Sequence, residues 1–300
     1  MKRILITGAS GFVGSYCVRR ALELGYDVWA VRSRNAPSDI STAGVTWRTV
    51  DLLAPGNIEA LLEEVRPTHA LHTAWVTEHG AYWNSVKNLD WLALGLRFFR
   101  RFGELGGQRF VSTGTCAEYD WAHGYMVEGL TPDKPQTFYG KIKLAHHLAL
   151  MAVSEEMGFS AATGRIFFAY GPKENPSRFV PSLCQSFALS SEATIGSGNF
   201  YRDFMHVEDV SNGILALLDS NINGICNVSS GQPARLREIA NILGEISGKQ
   251  HLLQIGGRQD RPNEPHMLVG SNQAIMSTGW KPTYGLKDGL HDTYEWWRTR

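Results

Sequence analysis

Apolar runs of strand length alternate with amphipathic stretches of helix length along the first half of the chain. A buried strand is predicted over Arg3–Thr7, and a glycine-rich turn follows it. From Phe12 to Leu24 apolar positions recur at helical spacing until Gly25 ends the pattern. Asp27–Arg32 predicts a second strand, Val45–Val50 a third that closes on Asp51, and Asn57–Val65 a helix stopped by Pro67. Next come a fourth strand over His69–Ala74 and a long helix over Asn84–Leu105 that ends in Gly106-Gly107. Arg109–Thr113 predicts a fifth strand and Tyr139–Met157 a strong helix. Strand and helix in alternation from the first residues predict an α/β protein with a doubly wound parallel sheet.

The pattern loosens after about Ser160. Thr163–Phe168 predicts one more strand, after which Gly, Pro and Ser become frequent and segments 172–200 and 230–266 turn irregular. Residues 1–168 are therefore expected to form the sheet domain, with returns near 202–228, and 169–300 mainly a smaller C-terminal lobe. Tyr294-Glu295-Trp296-Trp297 falls on a predicted last helix, where aromatic residues that pack the helix onto the body are the simple reading.

Composition removes several classes. With 43% hydrophobic and 19% charged residues, the chain can bury a sizeable core. Lys+Arg and Asp+Glu balance at 29 each, so no basic surplus points to nucleic acid. Cys17, Cys116, Cys184 and Cys226 are scattered without a CxxC pair, so neither a metal site nor a disulfide framework is expected, and a reducing cytoplasm is the simpler location. The apolar run in Met1-Lys2-Arg3-Ile4-Leu5-Ile6 stops at Thr7-Gly8, too soon for a signal peptide. No run of about 18 apolar residues predicts a membrane span.

The first candidate chemistry is Thr7-Gly8-Ala9-Ser10-Gly11-Phe12-Val13-Gly14, between a predicted strand and a predicted helix. There Gly8 permits a tight turn, Gly11 lets backbone approach a pyrophosphate and Gly14 allows close helix packing. The helix N-terminus offers unpaired N–H groups to the anion. The end of the second strand selects the cofactor. NAD sites usually place a carboxylate there for the ribose hydroxyls. This chain has Arg32-Ser33-Arg34, which lacks that acid and offers two guanidinium groups to a 2′-phosphate. NADP(H) is therefore favoured, with NAD(H) as the alternative. Asp51 can accept a hydrogen bond from an adenine amino group or serve as an ordinary turn residue.

The second candidate is Tyr139-Gly140-Lys141-Ile142-Lys143. Tyr139 and Lys143 stand at i and i+4, on one helix face. A free tyrosine titrates near 10, and a neighbouring ammonium favours its phenolate. Lys141 is offset and should point elsewhere. The fifth strand runs into Ser112-Thr113-Gly114-Thr115-Cys116-Ala117-Glu118-Tyr119. A hydroxyl at that end can bind a reacting oxygen, with Thr115 the first choice and Thr113 the second. Cys116 has no indicated His or Asp partner and is read as wall.

Taken together these residues resemble the extended short-chain dehydrogenase/reductase family of NAD(P)-dependent nucleotide-sugar epimerases, dehydratases and reductases. The resemblance covers almost the whole chain: TGASGFVG at 7–14, HTAW at 72–75, Asn88, STGTCAEY at 112–119 and YGKIK at 139–143, then GRIFFAYGP at 164–172, RDFMHVEDV at 202–210 and GWKP at 279–282. It implies a Rossmann-type sheet with a C-terminal substrate-binding lobe, and Thr115, Tyr139 and Lys143 as the catalytic trio. It also implies Gly8, Ser10, Gly11, Phe12, Val13, Gly14, Arg32, Ser33, Arg34, Asp51, Leu52, Thr73 and Ala74 at the cofactor, together with Tyr139 and Lys143. Asn88 matches an asparagine that supports the active-site water chain. Arg202 matches a clamp on the substrate diphosphate, and Arg261 with Glu264 a late pair that holds phosphate and ribose. A homodimer through the two long helices is the family's habit.

Departures from the family pattern narrow the chemistry. The 4,6-dehydratases place Asp-Glu directly after the catalytic Thr, whereas Cys116-Ala117 cannot move protons. Phe168 stands where the family has a phosphate-contacting Asn, and Ser271 where Asp is frequent. The expectation is an NADPH-dependent reductase of a nucleotide-linked keto-sugar, 4-keto-6-deoxy above others. A nucleotide-sugar epimerase with retained cofactor and a non-catalytic NADP(H)-binding sensor are the rivals.

Overall fold

Seven parallel strands form the central sheet of the computed structural model, which describes residues 2–33, 43–76, 78 and 80–300. Five come from the first part of the chain: β1 (Arg3–Thr7), β2 (Asp27–Arg32), β3 (Val45–Thr49), β4 (His69–His72) and β5 (Arg109–Thr115). Ser160–Ile166 and Gly224–Val228 add the other two. The spatial order is β3-β2-β1-β4-β5, then Ser160–Ile166, then Gly224–Val228. Strand order therefore reverses between β1 and β4, and ligand crevices of such sheets open at the carboxyl ends of the strands at that point.

Alternation within β1 shows why both faces must be covered. Ile4 and Ile6 pack in one apolar cluster with Cys17 and Val18 of helix α1 (Phe12–Glu23) and with Val210 and Ile214 of helix Val207–Asp219. Leu5 points the other way. It joins Ile58 and Leu62 of α2 (Asn57–Val65), Phe98 and Phe102 of α3 (Lys87–Glu104) and Leu150 of α4 (Phe138–Met157). Each fully buried Ile, Leu or Phe contributes about 1.5–3 kcal/mol of transfer free energy. Two glycines on α3 bring it close to α4. A Cβ on Gly95 would lie 2.5 Å from the His146 ring, and one on Gly103 2.8 Å from the Met157 sulfur.

Several boundaries differ from the pattern-based expectation. β4 ends at His72 rather than Ala74, because Thr73 gives both its N–H and its hydroxyl to the Thr7 carbonyl and leaves the ladder. β5 runs two residues further, to Thr115, paired with Ile166. α3 begins at Lys87 rather than Asn84, since Asn88 turns its amide back onto the Tyr82 and Ser85 carbonyls, at 2.8 Å each. The strand expected at 163–168 divides into Ser160–Ile166 and Phe168–Tyr170, and the latter pairs with Phe204–His206.

The later part of the chain builds a separate apolar cluster from helices Phe179–Ala188, Leu236–Ser247 and Leu286–Arg298. Tyr294 is buried in it and Trp297 packs against it, so the terminal aromatic run anchors the last helix. A small sheet orders Ala234–Arg235, Tyr201–Arg202, Met267–Gly270 and Tyr125–Met126 side by side. Among the described residues no helix is long and apolar enough to cross a membrane.

Candidate active site

At the β1–β4 crevice the backbone forms a cradle. Gly8 has φ +69°, and a Cβ there would lie 2.6 Å from Ala74 N and 2.7 Å from Thr73 Oγ1. A Cβ on Gly14 would lie 2.1 Å from the Gly8 carbonyl oxygen. Gly11 donates its N–H to that same oxygen at 2.9 Å and caps α1 with no side-chain hydrogen bond and no acid in the first turn. Uncapped N–H groups and the helix dipole suit an anion. Ser10, Phe12 and Val13 ring this turn, half-buried. Backbone and the Thr73 hydroxyl make the close approaches here, an arrangement into which a dinucleotide pyrophosphate fits.

Arg32 closes β2 at the mouth of the crevice. Its Nε donates to Thr49 Oγ1 at 3.2 Å, and its guanidinium lies 5.1 Å from the centre of the Trp47 ring. Ser33 beside it is exposed, and Arg34 lies outside the described residues. Asp51 behaves as a turn residue, its Oδ1 accepting the Leu53 N–H at 3.1 Å, while Leu52 is buried.

Tyr139 sits in the first turn of α4, after Thr137 caps the Gly140 N–H at 3.0 Å. Burial acts most strongly on the phenol and raises it, while the neighbouring Thr115 hydroxyl acts the other way. Tyr82 and Glu118 add to the effect of burial, and the phenol is raised well above its usual range. Thr115 Oγ1 accepts the Ala117 N–H at 3.2 Å, which directs the hydroxyl proton away from that amide. Thr113, the second choice, gives its hydroxyl to the His72 carbonyl. Cys116 is buried wall, its thiol pushed up to about 12 by desolvation.

Lys143 is buried on the same face of α4, while Lys141 is exposed. Its ammonium donates to the Thr113 carbonyl at 2.5 Å and lies 4.0 Å from the centre of the Trp75 ring. Desolvation lowers its pKa to about 8, against the Glu118 carboxylate, which raises it. Lys143 is not among the groups acting most strongly on Tyr139. In this structure the Lys143 ammonium rests on the Thr113 carbonyl and the Trp75 ring. Behind the lysine, His72 and His146 stack at 5.5 Å. Burial drives both below their ordinary value, His72 to about 3, and Lys143 adds to the effect.

Asn88, which matches the family's water-chain asparagine, is packed inside the protein. It accepts the Trp75 indole N–H at 2.7 Å and so holds the ring that covers Lys143. The wall around Tyr139 is aromatic: Tyr82 and Trp83 meet it edge-on at 5.0 and 5.7 Å, and Trp121 meets Trp83 at 6.1 Å. Arg178 lies 5.4 Å over the Tyr82 ring, and the exposed Arg261 also acts on that phenol. Pattern reading missed Trp75, Tyr82, Trp83, Trp121 and Arg178, since only tertiary packing brings them together.

Arg202 is buried, gives Nη1 to the Tyr201 carbonyl at 2.7 Å and pairs through Nη2 with Glu264. Glu264 thus partners Arg202 rather than Arg261. Phe168 and Phe200 flank the Arg202 guanidinium at 5.6 and 5.7 Å, so the missing asparagine is replaced by aromatic faces. Ser271 is buried and gives its N–H to the Met126 carbonyl at 2.8 Å.

A doubly wound sheet with a glycine cradle, and a Tyr–Lys helix beside a strand-end hydroxyl, define an NAD(P)-dependent oxidoreductase of the extended short-chain dehydrogenase/reductase type. The chain belongs to the NAD dependent epimerase/dehydratase family, whose model matches residues 4–229. It is 26% identical to GDP-L-fucose synthase 1 of Arabidopsis thaliana, over 98% of this chain and 93% of that protein. It is 25% identical to GDP-6-deoxy-D-mannose reductase of Pseudomonas aeruginosa, over 100% of this chain and 98% of that protein. The solved UDP-glucose 4-epimerase of Thermus thermophilus, in complex with NAD, superposes with a TM-score of 0.87 at 26% identity, covering 99% of both chains.

Proposed function

We propose that the chain catalyses the NADPH-dependent reduction of a keto-sugar linked to a nucleoside diphosphate, a 4-keto-6-deoxy sugar by preference. The observation that carries this reading is Cys116-Ala117 beside Thr115, where a dehydratase needs two acids, in a site that keeps Thr115, Tyr139 and Lys143. A phenol that keeps its proton is a donor, which is what ketone reduction requires.

When bound, the reduced nicotinamide supplies the hydride. Tyr139 gives its proton to the oxygen of the former ketone, and Thr115 hydrogen-bonds that oxygen as negative charge develops. Lys143 holds a positive charge beside them and takes the ribose hydroxyls next to the nicotinamide. Gly8, Gly11 and Gly14 admit the pyrophosphate, Thr73 and Ala74 line it, and Arg32 with Ser33 takes the 2′-phosphate. Arg202 and Arg261 take the substrate diphosphate, and Glu264, released from Arg202, accepts from a nucleoside hydroxyl. Residues 1–168 with the return at 202–228 carry the cofactor, and 169–300 mainly the substrate.

The likeness to GDP-6-deoxy-D-mannose reductase and GDP-L-fucose synthase supports a reductase. The exposed leucines Leu89, Leu96 and Leu148 on α3 and α4 support a homodimer through those helices. A cytoplasmic location fits the use of NADPH. The test supplies NADPH and a panel of 4-keto nucleotide sugars and follows nicotinamide absorbance. One NADPH consumed per product is expected. Product without net consumption makes the chain an epimerase; tight NADP(H) binding with no sugar changed, in parent and Tyr139→Phe alike, makes it a sensor.

A further inference from the structure

Glu118 is a fully buried carboxylate three residues beyond Thr115 that none of the roles above uses. Its Oε1 accepts the Thr115 backbone N–H at 2.8 Å, and its Oε2 accepts Arg165 Nε at 2.9 Å. Arg165, equally buried, gives Nη1 to Asp133 at 2.6 Å and lies 4.1 Å over the Tyr119 ring. Tyr119 is held in turn by its hydroxyl, which donates to Asn227 Oδ1 at 2.8 Å. Gly114 makes room for the arrangement. A Cβ there would lie 2.8 Å from Glu118 Oε1 and 3.0 Å from Arg165 Cγ.

Thr115 is therefore held twice. Its hydroxyl oxygen accepts from Ala117, and its amide donates to Glu118, the reciprocal pairing of a capping box. Burying two charges costs several kcal/mol each, and a well-packed apolar pair serves stability as well or better. A buried ion pair beside a reacting hydroxyl thus calls for another reason. The ionisable groups around Glu118 are Arg165 on the strand Ser160–Ile166, Asp133 on the loop before α4, Cys116 and Tyr119 on its own turn, and Tyr139, Lys143 and His147 on α4.

We propose that Glu118 is a positioning residue for the Thr115–Tyr139–Lys143 trio: its carboxylate clamps the Thr115 backbone and sets a fixed negative charge beside the Tyr–Lys pair, with Arg165 as its tether. The charge opposes ionisation of the phenol and favours the ammonium. Those are the protonation states from which a reduction starts, so the role rests on the reductase reading above.

Two measurements test it, one independent of any substrate. In ε-13C-lysine NMR of the cofactor-free protein, with Lys143 assigned through Lys143→Arg, Glu118→Gln is expected to lower the Lys143 midpoint by about one unit. In turnover, kcat is expected to fall about tenfold or more with KM changed less than threefold, and the alkaline limb to move to lower pH. A folded Glu118→Gln protein with the parental Lys143 midpoint overturns the proposal. If the midpoint shifts while no keto-sugar is reduced, the reductase reading fails and the electrostatic role stands. Should Gln, which leaves Arg165 with Asp133 alone, unfold the chain, Glu118→Val/Arg165→Leu removes both buried charges and fills the core. In that pair kcat still falls about tenfold, because Thr115 has lost its clamp; parental kcat there overturns the proposal.

Discussion

The Lys143 ammonium lies against the face of Trp75, 4.0 Å from the ring centre, and at the same time donates to the Thr113 carbonyl. These contacts oppose a desolvation that still brings the lysine to about 8. Below that value the group is charged in the folded and unfolded chain, and the cost of burying the charge is present in full. From about 8 up to the ordinary lysine value of 10.5 the folded chain sheds the proton first, so this group raises stability as pH rises through that window. The charge that the proposed role assigns to the cofactor ribose is lost over the same interval.

NADP(H) affinity should accordingly weaken as pH rises through about 8, and the thermal midpoint should gain a contribution of opposite sign that Lys143→Met removes. Trp75→Leu deletes a cation–π contact worth about 0.5–2 kcal/mol and should move the affinity midpoint down by roughly half a unit to one and a half units. Trp75→Phe should recover most of it. Fluorescence titration of NADPH across pH reads both. A midpoint in Trp75→Leu equal to the parent's would remove the ring from the account.

Much of this was legible in the chain because it is local. β1, β2 and α2 fall on the expected residues, since each is a short apolar run or an amphipathic repeat bounded by Gly, Asp or Pro. The glycine cradle was legible because its three glycines stand within one strand–turn–helix motif, although Gly8 also needs its space against Thr73 and Ala74 at the end of β4. What stayed hidden is tertiary. No periodicity shows that Trp75 covers Lys143, that Asn88 holds Trp75, or that Arg202 rests on Glu264. Nor does spacing show where the lysine rests: Lys143, one helical turn from Tyr139, lies against the Thr113 carbonyl.

Arg32 makes the cofactor preference testable. A charge-assisted hydrogen bond is worth about 1.5–3 kcal/mol, or roughly 10- to 150-fold in affinity. Arg32→Ala should weaken NADPH by about that factor and leave NADH within about twofold, and Arg32→Asp should reverse the preference. The Thr49 contact and the Trp47 ring keep the side chain at the end of β2, so Trp47→Leu should produce a smaller loss in the same direction. Kd values for both cofactors by calorimetry decide it; equal NADPH binding by Arg32→Asp would sink the selector.

The leucines on the outer faces of α3 and α4 are a liability in a monomer. Leu96→Arg with Leu148→Glu adds charges at two exposed positions and should cost less than about 0.5 kcal/mol of monomer stability. If the helices form the homodimer contact, light scattering should show the parent at twice the chain mass and the double variant at one chain mass, with thermal stability now independent of concentration. A parent that runs at a single chain mass would dismiss the dimer.

Arg202 pairs with Glu264, so a diphosphate bound at Arg202 as proposed would compete with that carboxylate. The guanidinium is almost fully buried between Phe168 and Phe200, and Glu264 is the carboxylate that neutralises it. On the proposed role of Arg202, a substrate diphosphate displaces Glu264 on binding. Glu264→Gln weakens the competitor and keeps an oxygen that can accept from a nucleoside hydroxyl. KM for the nucleotide sugar should fall about three- to tenfold with kcat nearly unchanged, the pattern of improved uniform binding. Arg202→Gln should instead raise KM about 10- to 100-fold through loss of a charged hydrogen bond. The order matters more than either size: a rise in KM for Glu264→Gln would show that its carboxylate serves the substrate and not the empty clamp.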